Sequence, residues 1–257
     1  MPTDTLMASR EYKVMFQMEQ EYFWYRALHN LTLREIRRIT KLGMGGGISI
    51  VDCGCGTGGL LAVLKPYFPR LTGFDFSSDA VNFCRQRGFG DVRQMSITDI
   101  TLPEESFDLA CSLDVLCVLE TDQFKKGLSQ IRMVLKPGGF FIFNLPAFEH
   151  MRSEHDDAVM IKRRFRRGEL RWELQAAGFD VEWINYRVSV LFPALWLVRM
   201  LKKFTKPPAA EAHSDLKPLF SPLNALLTFF LKLENWIVPH VPMPFGLSVF
   251  GVARRRD

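Results

Sequence analysis

The run ISIVDCGCGTGG, residues 48–59, constrains the chain more than any other: a β-branched apolar stretch reaches an acidic residue, Asp52, and breaks into a glycine-dense turn. Gly54, Gly56, Gly58 and Gly59 tolerate positive φ and carry no Cβ. A ligand can therefore press against bare backbone N–H groups at the start of the next helix.

Gly54, Gly56 and Gly59 also satisfy G-x-G-x-x-G, the dinucleotide fingerprint, so a nicotinamide dehydrogenase is a direct competitor for this loop. The sign of the charge at Asp52 separates the two readings. A carboxylate at the strand tip repels a pyrophosphate and attracts a cofactor bearing ammonium and sulfonium charges. About 20 residues on, the run RLTGFDFS ends a second strand at Asp75, where such folds place an acid against ribose hydroxyls. An N-cap for the helix that starts near Ser77 is the alternative role for Asp75.

Strand and helix alternate from there. SSDAVNFCRQRGFG reads as a helix with a Ser cap and a glycine stop, followed by a strand over residues 92–97; FDLACSLDVL is a strand, DQFKKGLSQIRMVL an amphipathic helix ended by KPGG, and FFIFNLP a strand buried on both faces. RRGELRWELQAAGFDVEWINYRV adds a helix and a strand, and LSVFGVARR supplies the seventh strand. The order predicts a doubly wound α/β fold with a seven-stranded, mostly parallel sheet, a Rossmann-like architecture. A single domain is expected over 1–257: an N-terminal helical lid (1–42), a cofactor-binding core (43–190), an apolar helical insert (191–246) and a last strand with a basic tail (247–257).

The insert contains LFPALWLVRMLKKF and PLNALLTFFLKLENWIVPHVPMPFG, both broken by Pro or charge and too short of the ~20 apolar residues that a spanning helix needs. Packing on the sheet, a lipid-facing surface and a hydrophobic substrate tunnel all remain open for it. TKPPAAEAHSD, between the two apolar parts, reads as a loop.

With 47% hydrophobic and 24% charged residues, the 257-residue chain is an ordinary globular protein and not a disordered one. Its five cysteines are an odd number, and no signal-peptide pattern opens the chain, so the expected compartment is the reducing cytoplasm. Cys53 and Cys55 form a C-x-C without a second Cys/His cluster, so no metal is expected. The net charge of +5 concentrates at Lys162, Arg163, Arg164, Arg166, Arg167 and Arg171 and at Arg254–Arg256. These clusters suit phosphates or anionic lipid at the inner face of a membrane, or simply a solvated helix face. Aromatic stacking residues for nucleic acid are sparse there, and no RNA module is recognisable.

VDCGCGTGG, then GFDFS, ITDITLPEESFDLACSLDVL and RMVLKPGGFFIFNLP, in that order and at those intervals, resemble the class I S-adenosylmethionine-dependent methyltransferases through most of the chain. The resemblance implies S-adenosylmethionine as cofactor and S-adenosylhomocysteine as product. It implies that Asp52 and the loop of Gly54, Cys55, Gly56 and Gly58 hold the methionine part, that Asp75 with Phe76 holds the ribose, and that Ser96 and Ile97 meet the adenine. Asp114 would face the crevice beyond the fourth strand, with capping of the following turn as its alternative role. The chain departs from the family pattern in two places. Ser96 stands where an acid is usual, with Asp99 as a possible substitute, and Cys117 and Val118 stand where an acid and a histidine are common.

EQEYFWYRALHNL and SEHDDAVMIKRRF resemble a methyltransferase type 11/12-like bacterial subgroup linked to lipid, polysaccharide or specialised-metabolite pathways, with Ile161 where that subgroup carries a histidine. They would place Tyr22, Trp24, Tyr25, Arg26, Arg163 and Arg164 on the substrate side; packing of a buried helix face is the alternative for the aromatics. His155 is the candidate general base for a hydroxyl acceptor, with Asp156 orienting it or acting instead. The expected function is methyl transfer to a hydrophobic or lipid-like small molecule. An accessory or membrane-associated subunit without turnover and an RNA methyltransferase are the rivals.

Overall fold

The computed structural model describes residues 9–41, 47–205 and 219–257. The strands are β1 (Ser49–Cys53), β2 (Arg70–Asp75), β3 (Val92–Gln94), β4 (Phe107–Leu113), β5 (Leu135–Pro146), β6 (Phe179–Arg187) and β7 (Ser248–Arg255). The α-helices are α1 (Ser9–Met18), α2 (Phe23–Ile39), α3 (Gly59–Leu64), α4 (Ser78–Gln86), α5 (Thr121–Val134), α6 (Glu154–Ala158), α7 (Arg167–Ala176), α8 (Phe192–Thr205) and α9 (Ser221–Ile237). One seven-stranded sheet runs β3-β2-β1-β4-β5-β7-β6. The β2–β3, β1–β2, β1–β4 and β4–β5 pairs are parallel, and β7 runs antiparallel to both β5 and β6. Mostly parallel, doubly wound α/β order is therefore what the chain adopts.

Alternation along the central strands splits the core into two layers. Val51, Cys53, Ala110, Phe141 and Phe143 meet Phe124, Leu128 and Ile131 of α5 and Leu170 and Leu174 of α7 on one face. Ile50, Leu109, Cys111, Ile142 and Val252 meet Leu28, Leu31 and Ile36 of α2 and Leu60 and Leu64 of α3 on the other.

Several boundaries differ from those expected. The third strand stops at Gln94 instead of Ile97, because its partner β2 ends at Asp75; Ser96 instead bridges to Asp99. The C-x-C cysteines do not act together: Cys53 lies in the core, and the Cys55 Sγ is 3.8 Å from the Sγ of Cys84. All five cysteines are free and buried.

The two apolar parts of the insert form α8 and α9. Helix α9 packs on α2, where Asn235 Nδ2 donates to the Ala27 carbonyl and Asn224 Oδ1 accepts from the Phe23 N–H. Its outer side leaves Phe220, Leu223, Leu226, Phe229, Leu233 and Trp236 exposed. Core packing thus accounts for one side of this helix only. Among the described residues no helix is long and apolar enough to cross a membrane. Of the loop TKPPAAEAHSD, residues 206–215 lie outside the described residues, as do residues 1–8 and 42 of the N-terminal segment.

Half of the basic run after β5 is engaged within the fold, while Lys162, Arg166 and Arg171 stay exposed. Arg163 pairs with Glu169 (2.8 Å), Arg164 with Asp156, and Arg167 donates to Asn185 (3.2 Å). At the carboxyl end, Arg255 pairs with Glu105 and Arg256 with Asp180.

The centre of the β5–β7–β6 layer has no room for a side chain at Gly251. A Cβ there would sit 2.6 Å from Phe143 Cζ and 2.7 Å from the Trp183 carbonyl oxygen. We expect Gly251→Ala to lower unfolding free energy by about 1–3 kcal/mol, the usual cost of overpacking, read from urea denaturation; unchanged stability would contradict this packing.

Candidate active site

Beyond the carboxyl ends of β1, β2 and β4 lies a cavity of about 630 Å³, the crevice where open α/β sheets bind ligands. The glycine turn after β1 forms one wall. Gly54 and Cys55 both donate their N–H to the Phe74 carbonyl (2.8 and 2.9 Å), and Gly56 donates to Asp75 Oδ2 (2.9 Å). Gly54 holds φ +83°, and a Cβ there would collide with Val115. Gly58, at φ +85°, is the N-cap of α3. Without glycine at these two positions the turn would be both strained and blocked.

Four buried carboxylates surround this end. Asp75 accepts from the N–H of Gly56 and of Ser77 (2.9 Å each), while the Ser77 hydroxyl takes the N-cap role for α4. Asp75 is therefore not the cap; its carboxylate lines the cavity and is held by backbone N–H groups. Burial raises Asp75 and pushes Asp52 up to about 8, to which the charges of Asp75 and Glu19 add. Asp114, in a left-handed conformation at φ +59°, accepts from Asn144 Nδ2 (2.7 Å), and burial lifts it to about 6. Its carboxylate is held by Asn144 and caps no turn.

Glu19, in the connection from α1 to α2, is the fourth carboxylate and one that sequence reasoning missed. It accepts from the Thr57 hydroxyl and from Arg87 Nη2 (2.6 Å) and meets the backbone N–H of Gly59. It thus ties the N-terminal helices to the positive end of α3. Burial raises its carboxyl to about 6. Arg87 extends the tie by donating to the carbonyls of Thr57 (2.8 Å) and Phe16 (2.9 Å). No local pattern in the sequence marks this pairing, since Arg87 follows Glu19 by 68 residues.

Most sequence-predicted site residues line this one cavity: Asp52, Gly54, Cys55, Gly56, Asp75, Phe76, Ser96, Ile97, Asp114, Tyr22, Trp24, Tyr25, His155 and Arg164. Tyr22, Tyr25 and His29 recur at helical spacing on the inner face of α2, and burial lowers His29 to about 4, so it is neutral.

Four do not reach the cavity lining. Gly58 is turned away against Cys84. Arg26, one position round the helix from Tyr25, is exposed and borders a separate, smaller pocket. Arg163 stacks over Phe124 and Phe165. Asp156 is fully buried with both oxygens on Arg164, which also donates to the Ala147 carbonyl (2.8 Å). That pairing commits Asp156 to Arg164 and keeps it off the cavity lining. Asp99 is exposed and also off the lining, and the Ser96 hydroxyl is engaged by Thr98 (2.8 Å). Among the described residues no cluster of His, Cys, Asp or Glu could hold a metal ion.

Asp52, Glu19 and Asp114 hold their protons more tightly folded than unfolded, so the native state binds extra protons between about pH 4.5 and 8. Their contribution to stability is complete below that window and falls as pH rises through it. Between pH 5 and pH 8.5, wild-type protein should lose stability relative to Asp52→Asn in urea titrations. A constant difference would show that Asp52 is not raised.

Residues 51–143 match the family model described as Methyltransferase domain. A fatty-acid O-methyltransferase of Mycolicibacterium smegmatis is 32% identical over 103 residues, 38% of this chain and 36% of that protein. A tRNA (carboxymethyluridine(34)-5-O)-methyltransferase of Arabidopsis thaliana is 30% identical over 143 residues, 54% of this chain and 31% of that protein. A malonyl-[acyl-carrier protein] O-methyltransferase of Yersinia pestis is 28% identical over 122 residues, covering 47% and 45% of the two chains. The matches thus span from about a third to under half of these relatives' length.

In structure, the chain is similar to a SAM-dependent methyltransferase from Archaeoglobus fulgidus (TM-score 0.57, 18% identity, 90% and 94% of the two chains) and to the [4+2]-cyclase SpnF (TM-score 0.52, 19% identity, 85% and 80%). At these identities the structural likeness speaks for the fold alone. Residues 51–143 thus carry the match to the methyltransferase model, and the seven-stranded sheet is the fold that the chain shares with S-adenosylmethionine-dependent methyltransferases of known structure.

Proposed function

We propose that this protein transfers a methyl group from S-adenosylmethionine to a hydrophobic or lipid-like small molecule. One observation carries the proposal: an acidic, glycine-walled pocket end opens directly into a chamber walled by aromatic and aliphatic side chains. The residues fit the cofactor. Asp52 is a buried carboxylate on which no cation of the described residues acts, as an ammonium and sulfonium group requires. Gly54 and Gly56 admit close backbone approach, Asp75 offers lone pairs to two hydroxyls, and Met95 and Ile97 supply an apolar slot for adenine.

When bound, S-adenosylmethionine supplies a methyl carbon made electrophilic by positive sulfur. The protein's share is alignment and exclusion of water. Tyr12, Met15, Tyr22, Trp24 and Tyr25 come from the N-terminal helices to cover the cavity, which the Glu19–Arg87 tie holds in place. Val118, Val159, Ile161, Leu195 and Leu247 make the remaining wall apolar, which suits an acceptor with a hydrocarbon body. With a hydroxyl acceptor, His155 of the same lining would take the proton. Relatives named for fatty-acid and malonyl-[acyl-carrier protein] methylation support a lipid-related acceptor. The internal pairing of Arg163, Arg164 and Arg167 favours a small acceptor over a polyanion such as RNA.

Calorimetry with S-adenosylhomocysteine should show binding tighter than about 100 μM, and Asp75→Ala should weaken it about ten- to a hundredfold, the usual worth of a hydrogen bond to a charged group. No binding by the wild type would remove the proposal. Transfer of labelled methyl to a lipid extract, lost in the same variant, tests turnover.

A further inference from the structure

Arg187 ends β6 and is the largest fully buried side chain among the described residues, at 1% exposure. Its Nε, Nη1 and Nη2 are all buried, and none has a hydrogen-bond partner among the described residues. Arg164 is held by Asp156 and a backbone carbonyl, and Arg87 by Glu19 and two carbonyls; Arg34, Arg132, Arg163 and Arg255 each leave a single buried nitrogen without a partner, whereas Arg187 leaves all three. A buried guanidinium with five unused donors is costly to keep, so a retained one signals an anion that completes it.

The neighbouring carboxylates do not complete it. Glu234 and Asp114 lie close enough for their charges to act on Arg187. Glu234, however, accepts from the backbone N–H groups of Ser189 (3.0 Å) and Val190 (3.2 Å), and Asp114 accepts from Asn144.

Arg187 is not itself part of the cavity lining but sits directly behind it. Pro146, Ser248 and Arg187 stand opposite one another across β5, β7 and β6, so their side chains share a face of the sheet, and the first two line the cavity. The Arg187 guanidinium carbon is 5.4 Å from the Trp24 ring centroid, and its charge also reaches His29 and Asp114; all three residues line the cavity as well.

We propose that Arg187 is the receptor for a carboxylate, and that the acceptor is an amphipathic carboxylic acid whose hydrocarbon part fills the apolar chamber. This rests on the methyl-transfer reading and names its substrate class. Guanidinium and carboxylate match as a bidentate pair, which orients the head group as well as holding it. The chemistry is balanced without a base. One carboxylate oxygen forms the new C–O bond while the methyl–sulfur bond breaks with its electron pair on sulfur, the anion and the sulfonium are both neutralised, and no proton moves. The site suits such a reaction: His29 is uncharged, and Asp156 is committed to Arg164.

The test is calorimetry on full-length protein saturated with S-adenosylhomocysteine, titrated with dodecanoate and with dodecanol, which share a chain and differ in the head group. Wild type should bind the acid at least about tenfold tighter, as a hydrogen-bonded charge pair predicts. Arg187→Met should erase that preference while keeping S-adenosylhomocysteine affinity, and Arg187→Lys should retain part of it. Equal affinity for the two probes, binding of neither, or a preference that survives in Arg187→Met overturns the assignment. Where Arg187→Met fails to fold, seen as loss of S-adenosylhomocysteine binding, the wild-type comparison of acid with alcohol decides alone. A protein that binds S-adenosylhomocysteine yet shows no preference for the acid keeps the methyl-transfer reading and loses only this one.

Discussion

Three consecutive N–H groups, those of Gly54, Cys55 and Gly56, close on the end of β2 through the Phe74 carbonyl and the Asp75 carboxylate. That closure bends the chain out of β1 and aims α3 across the sheet. It also leaves Asp52 at the strand tip, buried and, among the described residues, with no cation acting on it. A side chain at Gly54 would break the turn against Val115, so the site's geometry and the fold's first crossover rest on the same few atoms.

Burial of several acids around that turn sets the electrostatic character of the cavity. Each is pushed toward its neutral form because the water that would solvate its charge has been replaced by protein. The N-terminal helices complete the exclusion: Glu19 joins the start of α3, and the aromatic face of α2 covers the opening. In such a low-dielectric enclosure, interactions with a cationic ligand are stronger than they would be in water. An acidic end and an apolar end in one chamber thus follow from where β1, β2 and α2 come together.

The α/β order, the glycine turn and Asp52, Asp75 and Ile97 were legible because each is signalled locally, by runs of apolar residues, turn residues or fixed intervals along the chain. The misplacements concern orientation. Arg26 and Tyr25 are adjacent in sequence, yet a rotation of about 100° per helical residue sends one to solvent and one to the cavity. Arg163 and Arg164 are likewise neighbours, but one stacks on two phenylalanines and the other buries itself against Asp156. Whether α9 hides or shows its apolar side depended on how much of it α2 could cover, which its own composition does not record.

The chain's own order of residues determined the fold class, the glycine turn after β1 and the acids at the strand tips, since these need only neighbours within a few dozen positions. Tertiary structure alone decided the Glu19–Arg87 tie, the capture of Asp156 by Arg164 and the isolation of Arg187. Each of these turns on which distant charge is left with a partner once water is gone, and that pairing exists only after the sheet and its helices have packed.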